Sequence, residues 1–364
     1  MTSINHGLAS LTIDLDALTA NYHILRARQP SGAVAAVVKA DGYGLGALPV
    51  SNRLYREGCR HFFVATLDEA LALQPVIPTA LIATLTGVAP YGAREQAERQ
   101  IVPVINSLPE LALWRAEAHR SGRALPAFLH IDTGMNRLGL TPDELDQLIQ
   151  NPGLLSGIEL RTILTHLVSA ERPEDPLNQI QLARFRAACG KLPLALRSIA
   201  NSSGLFLGSD FASDLARPGA ALYGVNPTPA QPNPMQRVVA LTARVLQIRT
   251  IGPGETVGYN GIWKAQTKAR IATIGVGYAD GLPRAISNHG HAYFDATPLP
   301  LVGRVSMDLI TYDATNAPGL APGDDLELLG AHQDVDQLAA YAETSAYEIL
   351  TSLGNRYARR WIGA

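Results

Sequence analysis

The first two-thirds of the chain alternates short apolar runs with amphipathic stretches. The runs are four to six residues long, and several are rich in valine or isoleucine, which is typical of strands buried on both faces of a parallel sheet. They are Ala33–Val38, Phe62–Ala65, Ala80–Leu85, Ile101–Ile105, Ala127–Ile131, Thr162–Thr165, Arg197–Ala200 and Gly219–Tyr223. Stretches such as Pro109–Ser121, Thr141–Gln150 and Leu177–Cys189 predict the intervening helices. Eight repeats predict an α/β fold of the (β/α)8 (TIM-like) barrel type.

An open, doubly wound parallel sheet is the alternative architecture. It is disfavoured because no strand is followed by the G-x-G-x-x-G turn that such sheets use for dinucleotides. The last third of the chain differs, because Gly and Pro turns separate its apolar segments, which are Val238–Thr250, Arg270–Tyr278, Tyr293–Val305 and Asp325–Leu329. This pattern predicts a mostly antiparallel β domain, with one helical stretch at Asp334–Leu353.

The Pro-rich segment Asn226–Gln236 is the predicted linker between these two domains. We therefore expect a barrel domain at residues 1–230 and a C-terminal β domain at residues 231–364. The alternative for residues 1–10 is that they join the second domain.

Composition excludes several classes of protein. Of the 364 residues 47% are hydrophobic and 17% charged, and the net charge is −2, which indicates a compact protein without a nucleic-acid surface. The two cysteines, Cys59 and Cys189, are isolated and suit a reducing compartment. There is no metal-binding motif, no secretory signal and no apolar stretch of the ~20 residues that span a membrane. We expect a cytoplasmic protein with no membrane or metal partner.

A lysine directly follows the first predicted strand. Active sites of these barrels lie at the carboxyl ends of the strands, and Lys39 in VVKADGYG would project into that end. Partial burial there would lower the pKa of its ammonium group and make the neutral amine available as a nucleophile.

Other polar residues border later strands. Asp132 and Arg137 follow the fifth apolar run, His166 follows the sixth, Asn201 and Ser202 follow the seventh, and Arg217 precedes the eighth. Ser202 with the amides of Gly219 and Ala220 would suit a phosphate monoester. A phosphate site, a lysine and an arginine on one rim together indicate pyridoxal phosphate (PLP) as the cofactor.

The motifs that carry this chemistry resemble those of the alanine racemases. The resemblance runs from Leu11 to about Arg359. The matching segments are VVKADGYGLG, DTGMNRLG, ANSSG and RPGAALYG in the barrel, and GETVGYNG, IGVGYADGLPR and GRVSMDLITYD in the second domain.

The resemblance implies roles for individual residues. Lys39 would hold PLP as an imine and would act as one of two catalytic bases, with Tyr259 as the other. Arg137 would contact the phenolic oxygen of the cofactor and Arg217 its ring nitrogen. The remaining implied cofactor contacts are Tyr43, His166, Asn201, Ser202, Gly219, Ala220 and Tyr223. The implied substrate contacts are Arg137, Tyr278, Met307 and Asp308.

The implied activity is interconversion of L-alanine and D-alanine, for cell-wall synthesis or for alanine catabolism. The implied assembly is a head-to-tail homodimer whose two active sites are built from both chains. One alternative is a racemase of serine or of a basic amino acid. A decarboxylase of the same fold is disfavoured because neither cysteine lies in the second domain, and a PLP carrier is disfavoured because carriers lack that domain.

Five residues depart from the family pattern. His130 stands where many relatives carry a carbamylated lysine, and Ser198 replaces a common histidine. Leu45, Ser306 and Asn355 replace a histidine, a cysteine and a tyrosine. We expect these differences to bear on rate, cofactor affinity and substrate range rather than on the type of reaction.

Overall fold

The computed structural model describes residues 8–89 and 91–363, which form two compact units. The barrel unit contains residues 19–222 and 226–235. The sheet unit contains residues 8–18, Tyr223–Val225 and residues 236–363. Of the N-terminal residues 1–10, residues 1–7 lie outside the described part, and strand β1 (Ala9–Asp14) belongs to the sheet unit.

Helix α1 (Leu15–Ala27) precedes the first strand of the barrel unit. From that strand onward, strands and helices alternate. The strands are β2 (Ala33–Val34), β3 (Ala36–Val37), β4 (His61–Val64), β5 (Leu81–Thr84), β6 (Val102–Ile105), β7 (Leu125–His130), β8 (Ile158–Leu164), β9 (Leu196–Ser198) and β10 (Leu215–Ala216). The helices are α2 (Lys39–Tyr43), α3 (Ala47–Arg56), α4 (Leu67–Leu73), α5 (Ala93–Glu98), α6 (Leu108–Ser121), α7 (Pro142–Gln150) and α8 (Pro176–Cys189).

Hydrogen bonds close these strands into a ring. Strands β3 to β9 pair in chain order, each parallel to the next. β2 and β3 are two parts of one strand interrupted at Ala35, and β2 pairs in parallel with β10. The amide of Arg217, after β10, donates to the carbonyl of Ala200, after β9, at 2.8 Å. The predicted (β/α)8 barrel is therefore confirmed.

The eighth strand lies earlier than predicted. The apolar run Gly219–Tyr223 was expected to form it, but the strand is β10, and Ala220–Tyr223 is a 3₁₀ turn. The run is apolar because the turn is buried, while Pro218 has no amide hydrogen with which to continue a ladder. Arg217 consequently follows the eighth strand, at the same strand end as the other candidate residues, instead of preceding it.

Local sequence signals explain where the barrel helices begin. Ser107 caps α6 by accepting from the amide of Glu110, with Pro109 in the first turn. Thr141, the first residue of the predicted helical stretch Thr141–Gln150, caps α7 and forms a reciprocal capping box with Glu144. Such caps satisfy amides that have no partner within the helix, and each contributes about 1 kcal/mol.

The apolar faces of these elements form a buried core. Trp114 of α6, Leu129 of β7 and Phe185 of α8 belong to one cluster of buried side chains. The indole of Trp114 donates to the carbonyl of Pro126 at 3.1 Å, so its polar atom is satisfied inside the core. Burial of such large side chains contributes about 2–3 kcal/mol each and makes the barrel a rigid support for the loops at its strand ends.

The sheet unit is mostly antiparallel, as predicted, and is built around one long strand. Its later strands are β11 (Val239–Ile251), β12 (Thr256–Val257), β13 (Trp263–Lys264), β14 (Ala269–Ile274), β15 (His291–Phe294), β16 (Thr297–Pro300), β17 (Ile310–Asp313), β18 (Asp325–Leu329) and β19 (Ala358–Ile362). β11 pairs antiparallel with β1, β14 and β18, and β1 pairs in parallel with β19.

Two predicted elements of this unit are each divided in the structure. The segment Tyr293–Val305 contains the end of β15 and all of β16, which form a hairpin that turns at Asp295 with a φ of 50°. The helical stretch Asp334–Leu353 is two helices, α9 (Val335–Tyr341) and α10 (Ala346–Ser352). They separate because Glu343 has a φ of 52° and Ser345 caps the second helix. No helix in the described part of the chain is long and apolar enough to cross a membrane.

Candidate active site

Lys39 stands at the start of a left-handed turn. Residues 40–43 all have φ between 53° and 62°, although only one of them is glycine. This conformation costs roughly 1–2 kcal/mol for each L-residue, so other contacts must hold it. Asp41 accepts from the amide of Ala47 at 2.8 Å, and Glu69 accepts from the amide of Ala40 at 2.7 Å. The turn places Lys39 at the strand end and buries Tyr43.

The amine of Lys39 is made easier to deprotonate by its surroundings. Burial lowers its pKa, and the nearby charge of Arg137 lowers it further, while Glu69 partly offsets both effects. When the pKa of a half-buried lysine is lowered, a larger fraction of its amine is neutral at neutral pH. Such an amine can attack a carbonyl carbon or accept a proton.

Ser202 and Gly219 form a small cradle of donors. The Ser202 hydroxyl accepts from the amides of Gly219 and Ala221 at 3.0 and 3.2 Å. A Cβ at position 219 would lie 2.2 Å from the hydroxyl of Tyr43, so only glycine permits this approach. Burial raises the pKa of Tyr43 to about 12, which keeps its hydroxyl protonated as a possible donor. A hydroxyl, a phenol and backbone amides are the groups that bind a phosphate.

Arg217 carries a charge in the interior. Its side chain is 5% exposed, and its guanidinium donates to the hydroxyl of Ser198 and to the carbonyl of Thr165. Both acceptors are neutral, so neither compensates the charge. Burial lowers the pKa of Arg217 to about 10, which still leaves it protonated at neutral pH. An anionic or electron-rich ligand atom would stabilise a charge held in this way.

Two histidines lie among these cations and are neutral. The pKa of His166 falls to about 3 and that of His130 to about 4, in each case through burial first and the charge of Arg217 next. Nδ1 of His130 contacts Oδ1 of Asn106 at 2.8 Å. The charges of Lys39 and Arg137 also reach His166, so these side chains converge at one end of the barrel.

The carboxylate of Asp132, the aspartate of this cluster, forms hydrogen bonds with backbone amides. Asp132 accepts from three consecutive amides, of residues 134–136, each at 2.9 Å, and so shapes the loop that leads to the exposed Arg137. Asn201 has a comparable role, since its side chain accepts from the amide of Gly204 at 2.8 Å. The barrel end is therefore rich in cations and donors, which fits a ligand with several negative charges.

The substrate residues predicted in the sheet unit lie on adjoining turns. The amides of Tyr278 and Ala279 donate to the carbonyls of Ser306 and Met307 at 3.1 and 3.0 Å. Arg356 joins the same turns, through ion pairs with Asp280 at 3.1 Å and with Asp308 at 2.8 Å. Tyr278, Met307 and Asp308 are therefore brought together. In this chain Tyr278 is 44% exposed and Met307 54% exposed.

Tyr259 stands on its own 3₁₀ turn, between β12 and β13. Gly258 and Asn260, on either side of it, have φ of 74° and 62° and turn the chain sharply there. The tyrosine is 68% exposed. Tyr223, another predicted contact, is buried at the end of the turn that begins at Ala220.

Comparison with known proteins identifies the family. The family profile described as alanine racemase, N-terminal domain, matches residues 13–227, and that of the C-terminal domain matches residues 238–361. An alanine racemase of Acidiphilium cryptum is 54% identical over 98% of this chain and 99% of its own length. This chain belongs to the alanine racemase family.

Two further alanine racemases extend the comparison. One from Agrobacterium fabrum, described as catabolic, is 47% identical over 97% of this chain and 92% of its own length. The crystal structure of alanine racemase from Bartonella henselae with covalently bound pyridoxal phosphate has a TM-score of 0.95 and 43% identity. That alignment covers 97% of this chain and 99% of the other.

Two residues of this alanine racemase fold were not predicted as site residues although they contact the cluster. Thr165 and Ser198 end neighbouring strands and hold Arg217. The sequence signal that could have identified them is a residue with a hydroxyl group at the end of a buried strand, where most residues are apolar. The amides that contact Ser202 are those of Gly219 and Ala221, and the amide of Ala220 lies between them. Among the described residues no group of three or more His, Cys, Asp or Glu is arranged to hold a metal.

Proposed function

We propose that this chain is an alanine racemase that interconverts L-alanine and D-alanine with PLP as its cofactor. The observation that carries the proposal is Lys39, whose pKa is lowered at a barrel end lined with buried donors and unpaired positive charge. The related protein from Bartonella henselae holds pyridoxal phosphate covalently, and a lysine of this kind provides the amine for such a bond.

The residues present fit this cofactor. Ser202, the Gly219 and Ala220 amides and the Tyr43 hydroxyl would hold the phosphate, and Lys39 would form the covalent bond. Arg217 would face the ring nitrogen and Arg137 the phenolic oxygen. His166, Asn201 and Tyr223 would complete the contacts. When bound, PLP supplies an electron-accepting ring that makes the α-proton of an attached amino acid acidic.

The chain's own residues then determine where the proton goes. Lys39 accepts or returns it at Nζ on one face of the amino acid, since its environment favours the neutral amine. Tyr259 serves the opposite face through its hydroxyl. Beside the ring nitrogen, Arg217 would stay protonated and would give that nitrogen no proton, so the bound ring would withdraw fewer electrons and side reactions would be disfavoured. Tyr278, Met307 and Asp308 orient the substrate together with Arg137.

Racemisation is tested by incubating the protein with PLP and L-alanine in D2O. We expect D-alanine to form with deuterium at the α-carbon, and we expect Lys39→Ala to abolish both. Lys191→Ala, at an exposed lysine just after α8, is the matched control and retains full activity. Alanine that remains unlabelled and unconverted by the wild-type protein would refute the proposal, and release of CO2 would indicate a decarboxylase instead.

The active assembly is proposed to be a head-to-tail homodimer with shared active sites. Tyr259, Tyr278 and Met307 support this, because they are exposed in the single chain although the reaction requires an enclosed site. A second subunit that covers them would join its sheet unit to the barrel of the first.

Co-expression of two inactive variants tests the shared site. Lys39→Ala and Tyr259→Phe chains each lack one base, but a mixed dimer contains one intact site. Random pairing makes half of the dimers mixed, so activity returns to about one quarter of wild type. Sites built within single chains would give no recovery, which would contradict the proposal.

Cellular role and location are also proposed. Enantiomers are equal in energy, so one racemase can supply D-alanine as a peptidoglycan precursor or return it to catabolism. The first role is tested by expressing the chain in a D-alanine auxotroph and measuring growth with and without added D-alanine. Two free, buried cysteines, Cys59 and Cys189, support a reducing cytoplasm, and fractionation of the native cells tests this location.

A further inference from the structure

A buried glutamine of α8 connects two loops of the candidate site. Nε2 of Gln181 donates to the hydroxyl of Thr133 at 3.0 Å and to the carbonyl of His166 at 2.9 Å. Its Oε1 accepts from the amide of Val168 at 2.9 Å. Thr133 begins the turn that leads to Arg137, so this one side chain holds both that turn and the loop of His166.

The connection continues to Arg217. The hydroxyls of Thr133 and Thr165 lie 2.7 Å apart, and the carbonyl of Thr165 accepts from one nitrogen of the Arg217 guanidinium. Gln181, Thr133 and Thr165 are each almost completely buried. Hydrogen bonds in such a dry environment fix positions closely, because water cannot replace a lost partner.

The same pairing of glutamine and threonine occurs elsewhere in the barrel. Nε2 of Gln96, on α5, donates to the hydroxyl of Thr84 at 2.8 Å and to the carbonyl of Gly87 at 3.3 Å, while Oε1 accepts from the amide of Ala89. There, however, the threonine hydroxyl donates back to Gly87 at 3.0 Å, within its own loop. Of these two pairings, the one at Thr133 extends to a second threonine, Thr165, whose carbonyl accepts from Arg217.

We propose that Gln181 and the hydroxyls of Thr133 and Thr165 are positioning residues for Arg217 and for the loops of Arg137 and His166. The inference rests on the proposed function, because it assigns these three side chains a part in holding the cofactor end of the barrel. It predicts that loss of one buried hydroxyl displaces several contacts at once. The pairing at Thr84 supplies a control of the same chemistry and burial.

The first test compares Thr133→Val with Thr84→Val in the cofactor-free protein. Hydrogen exchange measured by mass spectrometry reports opening of residues 132–137 and 165–168. We expect Thr133→Val to speed exchange in both segments, and Thr84→Val to speed it only around residues 84–89. Thr133→Ser keeps the hydroxyl and restores slow exchange. Equal and purely local effects of the two valine variants would overturn the proposal, whether or not the protein racemises alanine.

The second test uses the PLP-loaded enzyme. Thr133→Val is expected to change the absorbance spectrum of bound PLP and to lower kcat by about tenfold or more, since small misplacements are costly to catalysis. Thr84→Val is expected to lower Tm to a similar extent while leaving the spectrum and kcat within twofold of wild type. If Thr133→Val does not fold, Thr165→Val replaces it. A lowered Tm with an unchanged spectrum and kcat would show that the hydroxyls are structural only. Failure of the wild-type enzyme to racemise alanine would instead refute the proposed function.

Discussion

The hydroxyl of Ser198 accepts a hydrogen bond from the guanidinium of Arg217 and donates its own proton to the carbonyl of Leu215. Because the Ser198 hydroxyl donates its only proton to the carbonyl of Leu215, it can act only as an acceptor toward Arg217. Two hydrogen bonds, this one and one to the carbonyl of Thr165, hold the guanidinium between neighbouring strand ends. The arginine is thus held by neutral groups, and its charge remains available to a ligand.

Removal of this hydroxyl is expected to destabilise the protein. Ser198→Ala leaves a buried cationic donor without an acceptor, at a cost of about 1–3 kcal/mol in the free energy of unfolding. Urea denaturation measures the change. Ser51→Ala is the matched control, because the buried hydroxyl of Ser51 has no hydrogen-bond partner among residues 8–89 and 91–363, and its loss should change stability by less than about 0.5 kcal/mol. Equal effects of the two substitutions would contradict this account of Ser198.

The neutral histidines predict how stability depends on pH. In the folded state the pKa of His166 is about 3 and that of His130 about 4, both below the ordinary value of 6.5. The unfolded chain therefore binds more protons than the folded chain between pH 6.5 and those values. Stability falls as the pH drops through this window, by at most about 1.4 kcal/mol per pH unit for each histidine.

Urea denaturation at pH 7.5, 6 and 5 checks this dependence. His130→Asn should flatten the decline, because one of the two groups no longer takes up a proton on unfolding. His119→Asn, at an exposed position of α6, is the control and should keep the wild-type pH profile. A profile that His130→Asn leaves as steep as wild type would show that other groups cause the decline.

Gly219 is expected to tolerate no side chain. In Gly219→Ala the new Cβ would lie 2.2 Å from the Tyr43 hydroxyl and would force the two loops apart. We expect the affinity for PLP to fall at least about tenfold, because the phosphate would lose donors from both loops. Titration of the cofactor-free protein with PLP measures this affinity. Gly153→Ala meets open space and should bind PLP as wild type does.

Arg356 is expected to affect substrate binding. It pairs with the buried Asp280, whose carboxylate accepts from the amide of Gly277, and with Asp308. Arg356→Gln would loosen the turns of Tyr278 and Met307, so we expect a severalfold rise in KM for alanine with a smaller change in kcat. Arg244→Gln removes an ion pair with Asp325 between two exposed side chains and should leave KM unchanged. An unchanged KM in Arg356→Gln would argue against a bracing role.

The sequence was informative wherever a local pattern decides the structure. The predicted run Ile101–Ile105 contains β6, whose four residues Val102–Ile105 are all buried. The predicted helical stretch Thr141–Gln150 begins at the residue that caps α7. The rim of polar residues followed from the same strands, because parallel strands bring their carboxyl ends together.

Features that depend on tertiary contacts were not predictable in this way. The strand β10 is two residues long, too short to show a period, and the stronger apolar run beside it forms a buried turn. The left-handed turn after Lys39 contains Ala40 and Asp41, and it is held in part by the side chain of Glu69 from α4, so the local sequence does not predict it. The contacts of Ser198 and Thr165 with Arg217 required the closed barrel.

The first strand of the sheet unit, β1, is also the first strand among the described residues. β1 lies between β11 and β19, so its two neighbours are supplied by residues 239–243 and by residues 358–362. During synthesis on the ribosome, this strand must wait for its second neighbour until residues 358–362 have been added. A fragment that begins after the barrel would lack the strand between those neighbours and would expose two backbone edges to aggregation. The order of the strands along the chain thus makes synthesis of β19 a condition for completing this part of the sheet.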